Sequence, residues 1–248
     1  MQMTQLIAEI GLNHNGSEEH AQRMLENILA AGIDAVTFQI REPEFYTAAA
    51  PPRRRLSEDF YRKAAKTVHE AGRLFGIAIC DESMIPSFNA IGVDFWKTLS
   101  WDFKNYSINK QLQATGKLVF MSTGISGMED IVEICSVWKN IVLIHTQLSQ
   151  KIDDVNLKAV DTIRHRTNLP VAFGLHCSNH EVLKLAVGLE SRAIFFYVKE
   201  EGVGGLLDDE HAIFVHDVKD LTESLRILST AMGTGQKTAM DVPNWVVH

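Results

Sequence analysis

The chain is poor in the patterns that mark several large classes of protein. Its three cysteines, in 248 residues, lie far apart without a CxxC pair, which excludes a disulfide-built scaffold and predicts a reduced, cytoplasmic protein. No run of 18 apolar residues occurs, so no membrane span is expected. Lysine and arginine number 24 against 31 aspartates and glutamates, and the net charge of −7 argues against binding to nucleic acid or membrane surfaces. No GxGxxG segment follows the first apolar run, so no nucleotide cofactor is expected.

Short apolar runs recur along the chain, each followed by an amphipathic stretch. They are rich in valine, isoleucine and phenylalanine, which is typical of parallel strands buried on both faces. The predicted strands are Leu6–Ile10, Ala35–Phe38, Leu74–Ile79, Phe95–Leu99, Leu118–Met121, Ile141–Ile144, Val171–Phe173 and Ala193–Val198.

Helix signals fill the intervals between these strands. Ser17 is an N-cap for the first helix, which Gly32 follows, and Ser57 caps a second helix that ends near Gly72. Further helices are predicted at Pro86–Ile91, Ser107–Thr115, Met128–Val137, Val155–His165, Glu181–Val187 and Val218–Met232. Eight strands alternating with eight helices predict an α/β fold, a single (β/α)8 TIM-barrel domain over residues 1–248. An open doubly wound sheet is the alternative, and the missing GxGxxG disfavours it.

A barrel carries its chemistry at the carboxyl ends of its strands and in the loops just after them. Polar residues are dense at those positions and predict a site for a polar, anionic small molecule. The candidates are Glu9, Asn13, His14, Asn15, Gln39, Arg41, Asp81, Glu82, Lys97, Ser100, Asp102, Ser122, Thr123, His145, Gln147, His176, Tyr197 and Lys199.

Several of these residues lie in segments that resemble one family. Residues 8–17, AEIGLNHNGS, closely resemble the opening AEIGxNHNGS of the sialic acid synthase family, and residues 31–39, AGIDAVTFQ, resemble its AGADAVKFQ. Lys97 and Ser100 fall where the family has KIGS, and residues 121–124, MSTG, match its LSTGM. His145 lies where LHC occurs, and residues 154–157 read DVNL as in the family. The resemblance covers about residues 4–237.

The resemblance implies a reaction and a set of roles. Family members condense phosphoenolpyruvate with the open-chain aldehyde of an N-acylated sugar, which yields a nine-carbon 2-keto acid and phosphate, and they use a divalent metal. The charge of Lys97 can neutralise a phosphate or carboxylate, and the carboxyl group of Glu9 can deliver or accept a proton. The predicted catalytic residues are Glu9, Lys97 and His176, and the predicted substrate-binding residues are Asn13, Asn15, Gln39, Ser100, Ser122, Thr123, His145 and Tyr197.

The sequence departs from the family pattern at residues that the resemblance implies would bind the metal and phosphoenolpyruvate. Thr37 replaces a lysine, and residues 78–81, AICD, replace STPF. Of two metal-binding histidines only His176 is retained, because Tyr197 takes the place of the second, so a manganese or magnesium site is incomplete. The chain also ends where family members continue into an antifreeze-like domain, which indicates a divergent member.

Three functions follow, of which the first is favoured. The first hypothesis is a synthase that acts on a sugar and phosphoenolpyruvate or a related keto acid. Alternatively it is a metal-independent aldolase or lyase on a keto sugar or sugar acid, with Lys97 as the Schiff-base amine. The third hypothesis is a noncatalytic sugar-binding barrel. Barrel-to-barrel contacts would allow a homodimer.

Overall fold

Eight parallel strands close into a barrel in the computed structural model, which describes residues 3–48 and 55–239. Each strand pairs with the next along the chain, and the eighth pairs with the first. The strands are β1 (Gln5–Gly11), β2 (Ala35–Ile40), β3 (Leu74–Ile79), β4 (Phe95–Thr98), β5 (Leu118–Ser122), β6 (Ile141–His145), β7 (Val171–Gly174) and β8 (Ala193–Lys199). The predicted (β/α)8 TIM barrel is therefore confirmed. A two-residue strand, β9 (Ile213–Phe214), pairs with the end of β8.

Helices occupy the intervals between the strands. They are α1 (Glu18–Ala30), α2 (Pro43–Ala48), α3 (Glu58–Glu70), α4 (Ile85–Ile91), α5 (Tyr106–Ala114), α6 (Met128–Val137), α7 (Ala159–Thr167), α8 (Val182–Gly188) and α9 (Val218–Ala231). The predicted N-caps are present, since the hydroxyls of Ser17 and Ser57 accept hydrogen bonds from backbone N–H groups in the first turns of α1 and α3. Within the described ranges, no helix has the length and apolar character needed to cross a membrane.

The helix after β6 differs from its prediction. The sequence pattern placed it at Val155–His165, whereas α7 begins only at Ala159. A single 3₁₀ turn at Ile152–Asp154 comes first, and Asn156 then takes a left-handed conformation with φ of 45°. Asparagine tolerates that conformation and ends helical hydrogen bonding, so the helix restarts downstream. The short helix α2 was not predicted.

The apolar core has two parts because the strands are buried on both faces. The larger part lies between the strands and the surrounding helices, and the smaller part fills the barrel interior. Phe95, Phe120 and Phe195 meet edge to face inside the barrel, with ring centroids 5.3 and 5.0 Å apart. Gly76 leaves the space that the Phe95 ring occupies. These three rings, here called the aromatic floor, fill the barrel interior.

Candidate active site

A buried ion pair lies directly above the aromatic floor, between β1 and β4. The ammonium nitrogen Nζ of Lys97 is 2.5 Å from Oε2 of Glu9, and both side chains are almost fully buried. Thr37, which is paired with Glu9 across β1 and β2, has its hydroxyl 3.4 Å from the same carboxylate oxygen. Buried charges persist where opposite partners compensate each other's lost hydration. The pair therefore holds both groups in one arrangement at the barrel centre.

A cavity of about 200 Å³ opens above this pair, at the carboxyl ends of the strands. Glu9 itself does not line the cavity and contacts it through Lys97. The predicted site residues that line the cavity are Gln39, Lys97, Ser100, Ser122, His176 and Tyr197. Its wall is completed by Leu12, Arg41, Leu99, Trp101, Leu148, Leu207 and Asp208.

Two serine hydroxyls stand side by side on the β4–β5 wall of the cavity. The Oγ atoms of Ser100 and Ser122 are 2.9 Å apart, and both side chains are buried. The backbone N–H of Gly124 donates to the Ser100 hydroxyl at 3.2 Å. Gly124 has no side chain, and a Cβ there would lie 2.6 Å from that hydroxyl oxygen. This wall thus presents adjacent hydroxyls close to the Lys97 charge, the donor types that bind a phosphate or carboxylate.

Two histidines and a tyrosine form a cluster on the β7–β8 wall. The ring centroid of His176 lies 4.7 Å from that of His211 and 5.8 Å from that of Tyr197. Burial, with the nearby His211 and Lys97, lowers the pKa of His176 to about 3, and burial also lowers the pKa of His211 to about 4. Burial raises the pKa of the Tyr197 phenol well above its usual value. All three groups are therefore neutral near pH 7.

This cluster does not fit the divalent metal that the resemblance implies. Manganese and magnesium prefer several oxygen or imidazole ligands converging on one point. In the part of the chain that the structure describes, no group of three or more histidine, cysteine, aspartate or glutamate side chains has such an arrangement. His176 faces the rings of Tyr197 and His211. Position 197 carries a tyrosine instead of the second histidine that the resemblance implies, so His176 lacks that partner for holding a metal.

Two predicted substrate-binding residues after β1 lie away from the cavity wall. Asn13 is fully buried, and its side-chain amide donates to the carbonyl of Val198 at 2.9 Å. Its Oδ1 accepts the backbone N–H of Asp208 at 3.3 Å. Asn15 is exposed in a left-handed conformation, with φ of 50°, and lines a separate small pocket. Asn13 thus joins the end of β8 to the loop that carries Asp208.

Two more of the predicted residues, Thr123 and His145, line a second cavity. The Thr123 hydroxyl donates to the carbonyl of Ile144 at 2.9 Å, and Nε2 of His145 is 3.0 Å from the carbonyl oxygen of Val155. This second cavity, of about 250 Å³, lies on the side of α6 and α7. Successive side chains of a strand point to opposite faces, so Thr123 turns outward where Ser122 turns inward. A substrate role for either residue stays a prediction.

Several residues of the cavity were not among those predicted to bind substrate. The Arg41 guanidinium lies 4.9 Å from the Trp101 ring centroid and binds Glu42 through two hydrogen bonds, of 2.8 and 2.7 Å. Asp208 and His211 come from the loop between β8 and β9. The strand-end position marks Arg41 in the sequence. Trp101 lies in the turn directly after β4, and the loop between β8 and β9 brings Asp208 to the cavity wall and His211 against His176.

The fold and the cavity define a (β/α)8 barrel with a ligand site at the carboxyl end of its strands. The sequence profile of the NeuB family matches residues 24–237, and the chain belongs to that family.

Two curated relatives match most of the chain. Human N-acetylneuraminate-9-phosphate synthase is 23% identical over 258 residues, which cover 94% of this chain and 72% of the relative. The N,N'-diacetyllegionaminic acid synthase of Legionella pneumophila is 26% identical over 268 residues, which cover 95% and 75%. The solved structure of N-acetylneuraminic acid synthetase from Leptospira borgpetersenii, bound to citrate, superposes with a TM-score of 0.88 at 21% identity, covering 96% of this chain and 88% of that chain.

Proposed function

We propose that this protein is a synthase that joins phosphoenolpyruvate to the aldehyde of an open-chain N-acylated sugar. The products are a 2-keto sugar acid of the nonulosonic type and phosphate. Membership of the NeuB family supports the reaction class, and relatives named as synthases of such acids support the substrate class. The observation that carries the proposal is one cavity with anion-binding donors on one wall and neutral hydrogen-bond donors on the other.

The phosphoenolpyruvate is proposed to bind at the wall formed by β4 and β5. Lys97 supplies the positive charge there, and the hydroxyls of Ser100 and Ser122 rotate to donate to phosphate or carboxylate oxygens. Gln39 adds an amide donor from β2. Because Glu9 already neutralises much of the Lys97 charge, we expect phosphoenolpyruvate binding to be of moderate strength and sensitive to both serines.

The aldehyde is proposed to lie against His176 and Tyr197. Carbon 3 of phosphoenolpyruvate forms the new bond to the aldehyde carbon, the aldehyde oxygen gains a proton, and water enters as phosphate leaves. With a pKa of about 3, His176 acts as a neutral hydrogen-bond donor to the aldehyde oxygen rather than as a charged acid. Glu9, which contacts the cavity-lining Lys97, is proposed to exchange a proton near the reacting carbons.

The buried ion pair favours this role of Lys97 over the Schiff-base alternative. A Schiff base requires the Lys97 nitrogen to be free to bond a carbonyl carbon, whereas Nζ is held against the Glu9 carboxylate at 2.5 Å. Borohydride trapping with a keto acid, followed by peptide mapping, separates the two roles. Modification of Lys97 would establish the aldolase reading instead.

The test is a phosphate-release assay with phosphoenolpyruvate and a panel of N-acylated hexosamines, alongside calorimetry with phosphoenolpyruvate alone. The wild-type protein is expected to bind phosphoenolpyruvate and to release phosphate only when an acceptor sugar is present. The double variant Glu9→Gln, Lys97→Met, which leaves no lone buried charge, should weaken that binding on the order of 100-fold, and Ser122→Ala about tenfold. Lys110→Met, at an exposed position of α5, serves as the matched control and should behave as wild type.

Two outcomes would contradict the synthase proposal. If phosphoenolpyruvate does not bind, the reaction class is wrong for this chain. If a sugar binds and no substrate pair is turned over, the noncatalytic sugar-binding barrel is the better description. We also propose a cytoplasmic location, which the three free thiols at Cys80, Cys135 and Cys177 support.

A further inference from the structure

The side chain of Tyr197 occupies a position that the backbone of β1 has made room for. Gly11 lies against the tyrosine ring, and a Cβ at Gly11 would be 2.7 Å from Cε1 of Tyr197. Gly11 also adopts a φ of 54°, which residues with a side chain rarely take. The ring is therefore held in a fixed position at the cavity wall by the fold itself.

Tyr197 lies in a cluster with two histidine rings and a lysine. The ring centroid of His211 is 5.2 Å away and that of His176 is 5.8 Å away, on the wall of the cavity. The ammonium of Lys97 lies 5.6 Å from the centroid of the tyrosine ring. A divalent cation beside Tyr197 would meet its phenol oxygen, the tilted imidazole pair of His176 and His211, and the Asp208 carboxylate, which lies 3.7 Å from Nε2 of His211. Among the described residues, however, no three histidine, cysteine, aspartate or glutamate side chains converge on one point, and the Lys97 ammonium lies close by. That environment is unfavourable for manganese or magnesium.

We infer that this barrel works without a divalent metal, because Tyr197 has replaced the metal site with a fixed phenol hydroxyl. His176 and Tyr197 both line the cavity, where we expect the phenol hydroxyl and the imidazole to hydrogen-bond to a ligand directly. The family resemblance implies a histidine at this position, and this chain has a tyrosine there.

The experiment measures metal directly and does not use activity. The protein is dialysed against EDTA and then against buffer, its metal content is determined by mass spectrometry, and MnCl₂ is titrated in by calorimetry. The wild-type protein is expected to retain no manganese and to give no binding heat up to about 1 mM, a range in which even weak protein sites for divalent cations saturate. Its melting temperature should be the same with and without manganese.

A gain of metal binding tests the role assigned to the tyrosine. Tyr197→His presents a third imidazole to His176 and His211, and we expect it to bind manganese at least about tenfold more tightly than wild type. Tyr197→Phe keeps the ring without the hydroxyl and should bind none. Tyr106→His, at an exposed tyrosine of α5, is the matched control and should also bind none.

Two results would overturn the inference. Stoichiometric manganese in the wild-type protein, lost in His176→Ala, would mean that the metal site survives. A folded Tyr197→His protein that gains no manganese would mean that the tyrosine is not what removed the site. Circular dichroism melts establish that each variant is folded, and the wild-type titration decides the first point even where a variant fails to fold.

Discussion

The buried pair of Glu9 and Lys97 makes a sharp prediction about stability. The variants are Glu9→Gln and Lys97→Met, which keep the size of each side chain and remove its charge, together with the double variant. Because the exposed fractions of the Lys97 and Glu9 side chains are only 6% and 4%, whichever charge is left alone has little access to water. We expect each single variant to be strongly destabilised and the double variant to recover most of the loss.

The magnitude follows from the separation of the two charges. At 2.5 Å and an effective dielectric constant of about 20, the gross attraction is about 7 kcal/mol. Desolvation of two ions offsets it by several kcal/mol each, so the net value of the pair is small. Removing one partner leaves that desolvation uncompensated and costs about 3–5 kcal/mol, whereas removing both costs about 1 kcal/mol or less.

Urea denaturation of the four proteins, followed by tryptophan fluorescence, gives the coupling energy as a double-mutant cycle. The expected coupling is at least about 3 kcal/mol. Asp59 and Lys63 provide a matched control on the surface of α3, where the ion pair has an N–O distance of 2.6 Å and both side chains are largely exposed. That control pair should show no measurable coupling. A coupling at Glu9 and Lys97 as weak as at the control pair would refute the reasoning.

Three further predictions concern the rest of the barrel. Burial lowers the pKa of His14 to about 3 and that of His211 to about 4, whereas an ordinary histidine has a pKa of 6.5. Between these values only the unfolded chain takes up protons, so the free energy of unfolding falls as the pH falls. Urea unfolding at pH 7 and pH 5 should differ by about 2 kcal/mol for each histidine, and a flat profile contradicts the burial argument. Gly76→Ala should cost about 1–3 kcal/mol in thermal unfolding, because its methyl group overlaps the ring of Phe95, and Phe95→Leu should restore part of the loss. Ser17→Ala should cost about 1 kcal/mol by loss of the N-cap of α1, and no change in melting temperature would dismiss that contact.

The charge balance of the cavity bears on which ligands it accepts. Lys97 is paired with Glu9, and Arg41 is paired with Glu42 through two hydrogen bonds. An anion entering the cavity therefore competes with carboxylates already present for both cations. This competition explains why the hydroxyls of Ser100 and Ser122 carry so much of the proposed anion recognition.

The sequence alone determined the barrel and the end of it that carries chemistry. Strands buried on both faces are apolar along their whole length, and capped amphipathic helices follow them, so the alternation is visible without any knowledge of contacts. Position relative to strand ends then indicated Glu9, Lys97 and His176. Burying such a charged or polar side chain on an apolar strand or at its end costs free energy, and its presence there is visible in the local sequence.

Tertiary structure decided which of those residues act together. Glu9 and Lys97 are 88 positions apart, and only closure of the barrel brings their charges to 2.5 Å. His211 reaches His176 through a loop whose course depends on β9 and on the Asn13 amide. The Asn13 contact joins this loop to a segment 195 positions away, and no periodic pattern in the sequence encodes such a contact.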